Sequence, residues 1–287
     1  MKWRETVDCG CKINLRLKVT AKRADGLHEL SSCFLYLPFP GDLLTVEDSD
    51  SGLALECPGF PELANEKNLV WRAAELFAAE SKITPAWKIV LEKIVPMAAG
   101  LGGGSADAGA LLALLNDRYR TVSSERLEKL AFSLGADVPF FIKRTSAWVT
   151  GAGECFEYFE KMPYVPEVLI INPAFPVSAK WAYVNMPKTL IGPDDPQEKA
   201  DFLAGKCDWQ RFCLNDLAPA VMKKFPLLGI LERKLRDCGA LAVQMSGSGP
   251  SLFALYEPGK AAAAAEKMRC DFAGLNGLRI FAGGKEF

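Results

Sequence analysis

Residues 12–20 read Lys-Ile-Asn-Leu-Arg-Leu-Lys-Val-Thr. Ile13, Leu15, Leu17 and Val19 alternate with polar residues, which is the two-residue period of a strand. The alternation predicts a half-buried strand with Lys12 and Asn14 together on its other face. Asp25-Gly26 marks a turn, and shorter strands are predicted near 43–47, 53–57 and 87–94. Over 66–80 the period changes, and apolar residues at 69, 73, 76 and 77 line one face of a helix. A second, Ala/Leu-rich helix is predicted over 105–116, directly after a run of glycines. Ser123 or Ser124 caps a third, whose stripe is Leu127, Leu130, Ala131 and Leu134, with Gly135 at its stop.

Pro163, Pro166, Pro173 and Pro176 change the texture of the chain and put a boundary near 150–165. Two domains are therefore expected, 1–155 and 156–287. Past the boundary, 168–171 reads as a buried strand and 186–210 as loops and short helices. The segments 240–245 and 252–256 read as strands flanking Ser246-Gly247-Ser248-Gly249, followed by a helix over 259–270. Strands and helices interleave without regular βαβ alternation, so the expected class is α+β rather than a doubly wound sheet.

The 287 residues are 49% hydrophobic and 24% charged, enough apolar material for a core and too much for a disordered chain. Lys and Arg total 34 against 35 Asp and Glu, so the net charge is -1. That balance argues against nucleic acid or a membrane surface as partner and leaves room for an anionic ligand held locally. Nine scattered cysteines, the closest being Cys9 and Cys11, describe neither a disulfide framework nor a zinc site and suit a reducing, cytoplasmic compartment. The start, Met1-Lys2-Trp3-Arg4-Glu5, lacks the apolar stretch of a secretory signal, and no run approaches 18 apolar residues. With His28 the sole histidine, multi-histidine metal sites are excluded.

The most informative stretch is Pro96-Met97-Ala98-Ala99-Gly100-Leu101-Gly102-Gly103-Gly104-Ser105. Four glycines in five positions allow backbone angles closed to other residues and close approach to a ligand. A helix begins at once, and helix N-termini offer unpaired N–H groups to phosphate. Ser105 is placed to cap that helix or to present a hydroxyl to a phosphate or its metal. Neither G-x-x-x-x-G-K-[ST] nor G-x-G-x-x-G is present. A glycine-rich turn without a ligand is the alternative.

This loop resembles the phosphate-binding motif of the GHMP small-molecule kinases. Cys11-Lys12-Ile13-Asn14-Leu15, Lys22-Arg23-Ala24-Asp25-Gly26-Leu27-His28-Glu29-Leu30, Gly135-Ala136-Asp137-Val138-Pro139-Phe140-Phe141 and Ser246-Gly247-Ser248-Gly249-Pro250-Ser251 occur in that family's order and span most of the chain. The Lys-Ile-Asn and Ala-Asp-Val-Pro-Phe segments are similar to those of the branch acting on 4-diphosphocytidyl-2-C-methyl-D-erythritol. The resemblance implies a two-domain α+β GHMP kinase fold with mixed and antiparallel sheets and helices, and an active site in the interdomain cleft. It implies ATP with Mg²⁺, a small-molecule cytidyl diphosphate substrate, and phosphorylation of that substrate's 2-hydroxyl in non-mevalonate isoprenoid precursor biosynthesis. Another alcohol kinase of the same superfamily, or a non-catalytic nucleotide-binding protein of the same fold, is the alternative. Oligomeric state is left open.

By the same resemblance Asp137 lies beside the hydroxyl to be phosphorylated and accepts its proton or orients it, with Lys12 nearby. From the residues alone, Asp137 equally closes a turn and Lys12 equally faces solvent from an edge strand. Asn14, His28, Tyr183 and the loop Ser246, Gly247, Ser248, Gly249 fall on the substrate side, His28 reading the cytosine ring and Tyr183 stacking on it. The family usually has Tyr before this His, where this chain has Leu27. Pro96, Ala98, Ala99, Gly100, Leu101, Gly102, Gly103, Gly104 and Ser105 fall on the ATP phosphates, and Asn68, Leu69 and Lys93 on the adenine side. Otherwise Asn68 is an N-cap, Lys93 a solvent-facing strand residue, Tyr183 a packing residue and 246–249 a tight turn. Ser105 is the candidate protein ligand for Mg²⁺.

Overall fold

A computed structural model describes residues 2–287. They divide into two compact units that interleave along the chain. One comprises the chain up to Cys11, Tyr36–Val95 and Gly102–Thr145; the other comprises Lys12–Leu35, Pro96–Leu101 and Ser146–Phe287.

The first unit is built on a four-stranded sheet in the order Arg4–Asp8, Leu43–Asp48, Trp87–Glu92, Ala54–Glu56. Its pairs are antiparallel except the last, which is parallel. Helices Leu69–Ser81, Gly103–Tyr119, Ser124–Leu134 and Val138–Lys143 complete it. Asn68 and Ser123 cap two of these by accepting from Val70 N–H and Arg126 N–H. Helix Gly103–Tyr119 differs in being apolar nearly all round, with Ala106 through Leu112 wholly buried, as expected of a central core helix. It starts two residues earlier than the Ala/Leu pattern predicts. Ser105 is therefore inside the helix and does not cap it. Gly102 takes the cap position in the left-handed region, φ 73°, with no side-chain cap bond. A serine cannot adopt that backbone without strain, so glycine displaces it.

The second unit holds two sheets. One is ordered Cys11–Lys22, His28–Leu37, Ala147–Gly151, Cys155–Tyr158. The other is Ala242–Met245, Leu252–Tyr256, Glu167–Asn172, Arg279–Ala282, Lys285–Glu286, antiparallel throughout. Leu228, Leu231 and Leu235 of helix Pro226–Asp237, and Ala261, Ala264, Ala265 and Met268 of helix Ala261–Asp271, repeat at helical spacing. They form one core with Leu169, Ile171, Val243, Leu252 and Ala254 of this sheet. The polar stretch 186–210 carries the short helix Pro196–Leu203 and a 3-10 turn, as its composition predicts.

The strand Cys11–Lys22 is not half-buried. Lys12, Asn14 and Arg16 on its polar face are buried as deeply as the apolar residues between them. Each is satisfied. Lys12 donates to Asn14, Asn14 donates to Ser32, and the Arg16 guanidinium grips Asp194 while donating to the Phe212 carbonyl at 3.0 Å. Pairing of this kind is what makes burial of polar groups tolerable.

Within the first unit, Gly109 lets helices Gly103–Tyr119 and Val138–Lys143 meet closely. A Cβ there would lie 2.8 Å from Phe141 Cβ and 2.9 Å from the Val138 carbonyl oxygen. Gly109→Ala is expected to cost about 1–3 kcal/mol by overpacking, seen as a lowered denaturation midpoint; an unchanged midpoint would show that the helices separate freely.

Candidate functional site

In the second unit, one hydrogen-bonded cluster joins three stretches distant in sequence. Lys12 Nζ donates to Asn14 Oδ1 at 2.5 Å and lies 4.5 Å from the centre of the Phe34 ring, so both polar side chains point the same way from their strand. The Ser246 hydroxyl accepts from Asn14 N–H at 3.2 Å and donates to the Gly100 carbonyl at 2.9 Å. Lys12 N–H donates to the Leu101 carbonyl, and Ser251 N–H to that of Ala99. Gly100, φ 76°, is irreplaceable here, because a Cβ would stand 2.1 Å from the Ser246 carbonyl oxygen. Asn215 steadies the turn from below by donating to the carbonyls of Met245 and Gly247. Thus Lys12, Asn14, Gly100, Leu101 and 246–249 come together, with Asn215 and Ser32 as partners that alternation and motif reading overlook.

The glycine loop has left-handed backbone at every second residue, Ala98, Gly100 and Gly102. Left-handed residues of this kind recur in loops whose successive N–H groups form anion-binding concavities. The loop runs directly into helix Gly103–Tyr119, whose glycine cap supplies no side chain to the first-turn N–H groups. Gly104 is exposed and Ser105 half-buried at this end. Asp137, half-buried, precedes helix Val138–Lys143 at its N-cap position without a side-chain cap bond.

Lys93 departs from the alternating-strand reading. The strand ends at Glu92, and the Lys93 side chain is buried, its ammonium bonded to Asp42 and, at 2.7 Å, to Asp107. Asp107 Oδ1 is buried with no hydrogen-bond partner among the described residues. Burial drives the Asp107 carboxyl up to about 7; Lys93 pulls it down and Asp42 pushes it further up. The same surroundings, burial first and then Asp107 and Asp42, raise the buried Cys9 thiol. A lone acid in an otherwise Ala/Leu stretch is the sequence signal for Asp107, while Asp42, in a loop, gives none.

Two cavities accompany these groups. In the second unit, about 340 Å³ is lined by Leu27, His28, Ala152, Lys180, Tyr183 and Val184. His28 and Tyr183 stack with ring centres 5.2 Å apart, and Ser178 caps the short helix that carries Tyr183. Burial and then the nearby Lys22 lower the His28 pKa, leaving the imidazole neutral near pH 7. Leu27 is 54% exposed at the rim. In the first unit, about 560 Å³ opens beside Asn65, Lys67 and Trp71, next to Asn68 and Leu69. Asn68 itself is the helix cap, and its amide also donates to the Leu63 carbonyl.

The raised Asp107 carboxyl has a consequence for stability. A carboxyl at about 7 when folded, against about 3.9 unfolded, favours folding below pH 4, and this contribution is lost as pH rises through 7. Asp107→Asn is expected to flatten that decline, as read by urea denaturation at several pH values between 4 and 8. Parallel curves for variant and parent would refute the assignment.

Two family models match the chain, the GHMP kinases N terminal domain over residues 68–144 and the GHMP kinases C terminal over 208–274. The 4-diphosphocytidyl-2-C-methyl-D-erythritol kinase of Geobacter sulfurreducens is 34% identical over 268 residues, covering 92% of this chain and 94% of the relative. That of Syntrophotalea carbinolica is 35% identical over 274 residues, covering 94% and 95%. A crystal structure of 4-(cytidine 5'-diphospho)-2C-methyl-D-erythritol kinase aligns with a TM-score of 0.83 at 32% identity, covering 97% of this chain and 98% of that one. At this identity over nearly the whole length, the chain belongs to the GHMP kinases and, within them, to the 4-diphosphocytidyl-2-C-methyl-D-erythritol kinase family.

Proposed function

We propose that this enzyme transfers the γ-phosphoryl group of ATP to the 2-hydroxyl of 4-diphosphocytidyl-2-C-methyl-D-erythritol, a step of non-mevalonate isoprenoid precursor biosynthesis. The observation that carries the phosphoryl-transfer reading is the glycine loop, left-handed at alternate residues and feeding a helix start that has no capping side chain. Family membership at full length carries the choice of alcohol.

In this reading the N–H groups over 98–105 hold the phosphates, Pro96 and Ala99 shape the turn, and Asn68, Leu69 and Lys93 lie on the adenine side. A bond forms between the substrate oxygen and the γ-phosphorus. The bond to the bridging oxygen breaks, and its electron pair leaves with ADP. The hydroxyl proton passes to the Asp137 carboxylate. Positioning outweighs base strength in so loose a transition state. Lys12 offsets phosphate charge. Asn14 and Ser246, Gly247, Ser248 and Gly249 set the substrate side. His28, neutral near pH 7, has one ring nitrogen to donate and one to accept, which suits the amino and imino edge of cytosine. Tyr183 supplies the face, and Leu27 an aliphatic rim.

Among the described residues no three His, Cys, Asp or Glu side chains gather to hold a metal. Mg²⁺ therefore fits as an ion carried by the nucleotide, with the Ser105 hydroxyl as the protein oxygen, and when bound it neutralises phosphate charge. No helix among those residues is long and apolar enough to cross a membrane, and we place the enzyme in the cytoplasm. The two family matches fall on either side of 155/156, which supports 1–155 and 156–287 as its family domains.

ADP release measured with a panel of alcohols tests the assignment. Turnover is expected with the cytidyl substrate and not with methylerythritol phosphate, mevalonate or homoserine; activity on mevalonate or homoserine alone would overturn it. Asp137→Asn is expected to lower kcat by about 10²–10⁴-fold with the KM for ATP little changed, because the loss falls on the transition state. Unaltered turnover would remove Asp137 from the reaction.

A further inference from the structure

Asp42, Lys93 and Asp107 form a group of three ionisable side chains, all largely shielded from solvent, which is rare for charged residues. Its connections are directional. Asp42 Oδ1 accepts from the backbone N–H groups of Ile94 at 2.5 Å and Val95 at 2.7 Å, the residues that lead into the glycine loop. Asp42 Oδ2 accepts from Lys93 Nζ, which reaches on to Asp107 at 2.7 Å, one helical turn past Gly103. Gly103 itself sits against Val95, where a Cβ would come within 3.0 Å of Val95 Cγ1 and 3.5 Å of Asp42 Oδ2. The entry to the loop and the first turn of the helix after it are therefore fastened together at two points, with the loop spanning the interval.

We infer that Asp42 and Asp107, acting through Lys93, are positioning residues that hold the two ends of the glycine loop at the separation its N–H groups need to bind the ATP phosphates. Neither carboxylate has to touch the nucleotide. A purely electrostatic role predicts the opposite sign, because removing a negative charge near a polyanion strengthens its binding. The cost of burying three ionisable groups with one carboxyl oxygen unpaired fits a role in specifying geometry rather than in adding stability.

The inference rests on the nucleotide reading above, so the test measures nucleotide binding apart from the alcohol. Binding of the non-hydrolysable analogue AMP-PNP with Mg²⁺ is followed by calorimetry for the unaltered protein, Asp107→Ala and Asp42→Asn, together with the KM for ATP and for the cytidyl alcohol. Asp107→Ala is expected to weaken analogue binding at least tenfold and raise the KM for ATP in step, leaving the alcohol KM within twofold. Should that variant not fold, Asp42→Asn serves instead. It keeps an oxygen for Ile94 and Val95 but loses the charge facing Lys93, and a threefold or greater weakening is expected. Unchanged or tighter analogue binding in a folded variant would overturn the clamp alone. Failure of the unaltered protein to bind the analogue would overturn the nucleotide reading and the clamp with it.

Discussion

Buried polar groups without partners are costly, and the strand Cys11–Lys22 carries Lys12, Asn14, Arg16 and Lys18 at alternate positions, the first three of them buried. The second unit is organised by that constraint. Asn14 is held by Ser32 and Ser246, Arg16 by Asp194 and Phe212, and Lys18 by Asp216, so stretches far along the chain are drawn to one strand. Trp148 and Ser31 extend the Arg16–Asp194 group by a further pair of hydrogen bonds. A strand with an ordinary solvated face would need none of these partners and would give Lys12 no fixed place. The residues that fix the strand are thus the ones that aim its candidate catalytic lysine.

The first unit solves a different problem. In the proposed reading its central helix begins with bare amides that serve an anion, yet a helix start lacking a capping side chain is poorly defined. Glycine provides the left-handed cap, and packing against Val95 with an internal ion group supplies the definition that a Ser or Asp cap ordinarily gives. Ala98 adopts left-handed backbone without being glycine, a local cost of the sort that collects where function requires a particular shape.

Periodicity in the sequence was enough to find the long elements. The helix capped by Asn68, the one capped by Ser123 and the strands around the 246–249 turn lie where apolar spacing and caps put them. Polarity is a poor guide to burial at Lys12, Arg16 and Lys93, because a buried, partnered charge and a solvated one look alike in one dimension. It also misplaced the start of the glycine-loop helix, since a serine is the commoner cap and only the backbone angle at Gly102 shows otherwise. The motif residues were legible; their supports, Asp42, Ser32 and Asn215, were not, because they join the group by long-range contact and carry no local signature.

The interleaving of the units bears on biosynthesis. All residues of the first unit have been translated once Thr145 is added. The strand Cys11–Lys22, made almost at the outset, must wait for partners such as Asp216, which lies 198 residues downstream of Lys18. During that interval the strand already has its sheet neighbour, His28–Leu37, but Arg16 and Lys18 lack Asp194 and Asp216, and non-local contacts of this span form slowly. Until residues 194 and 216 have been made, the charges of Arg16 and Lys18 stay in water, so the second unit closes only after most of the chain has been synthesised.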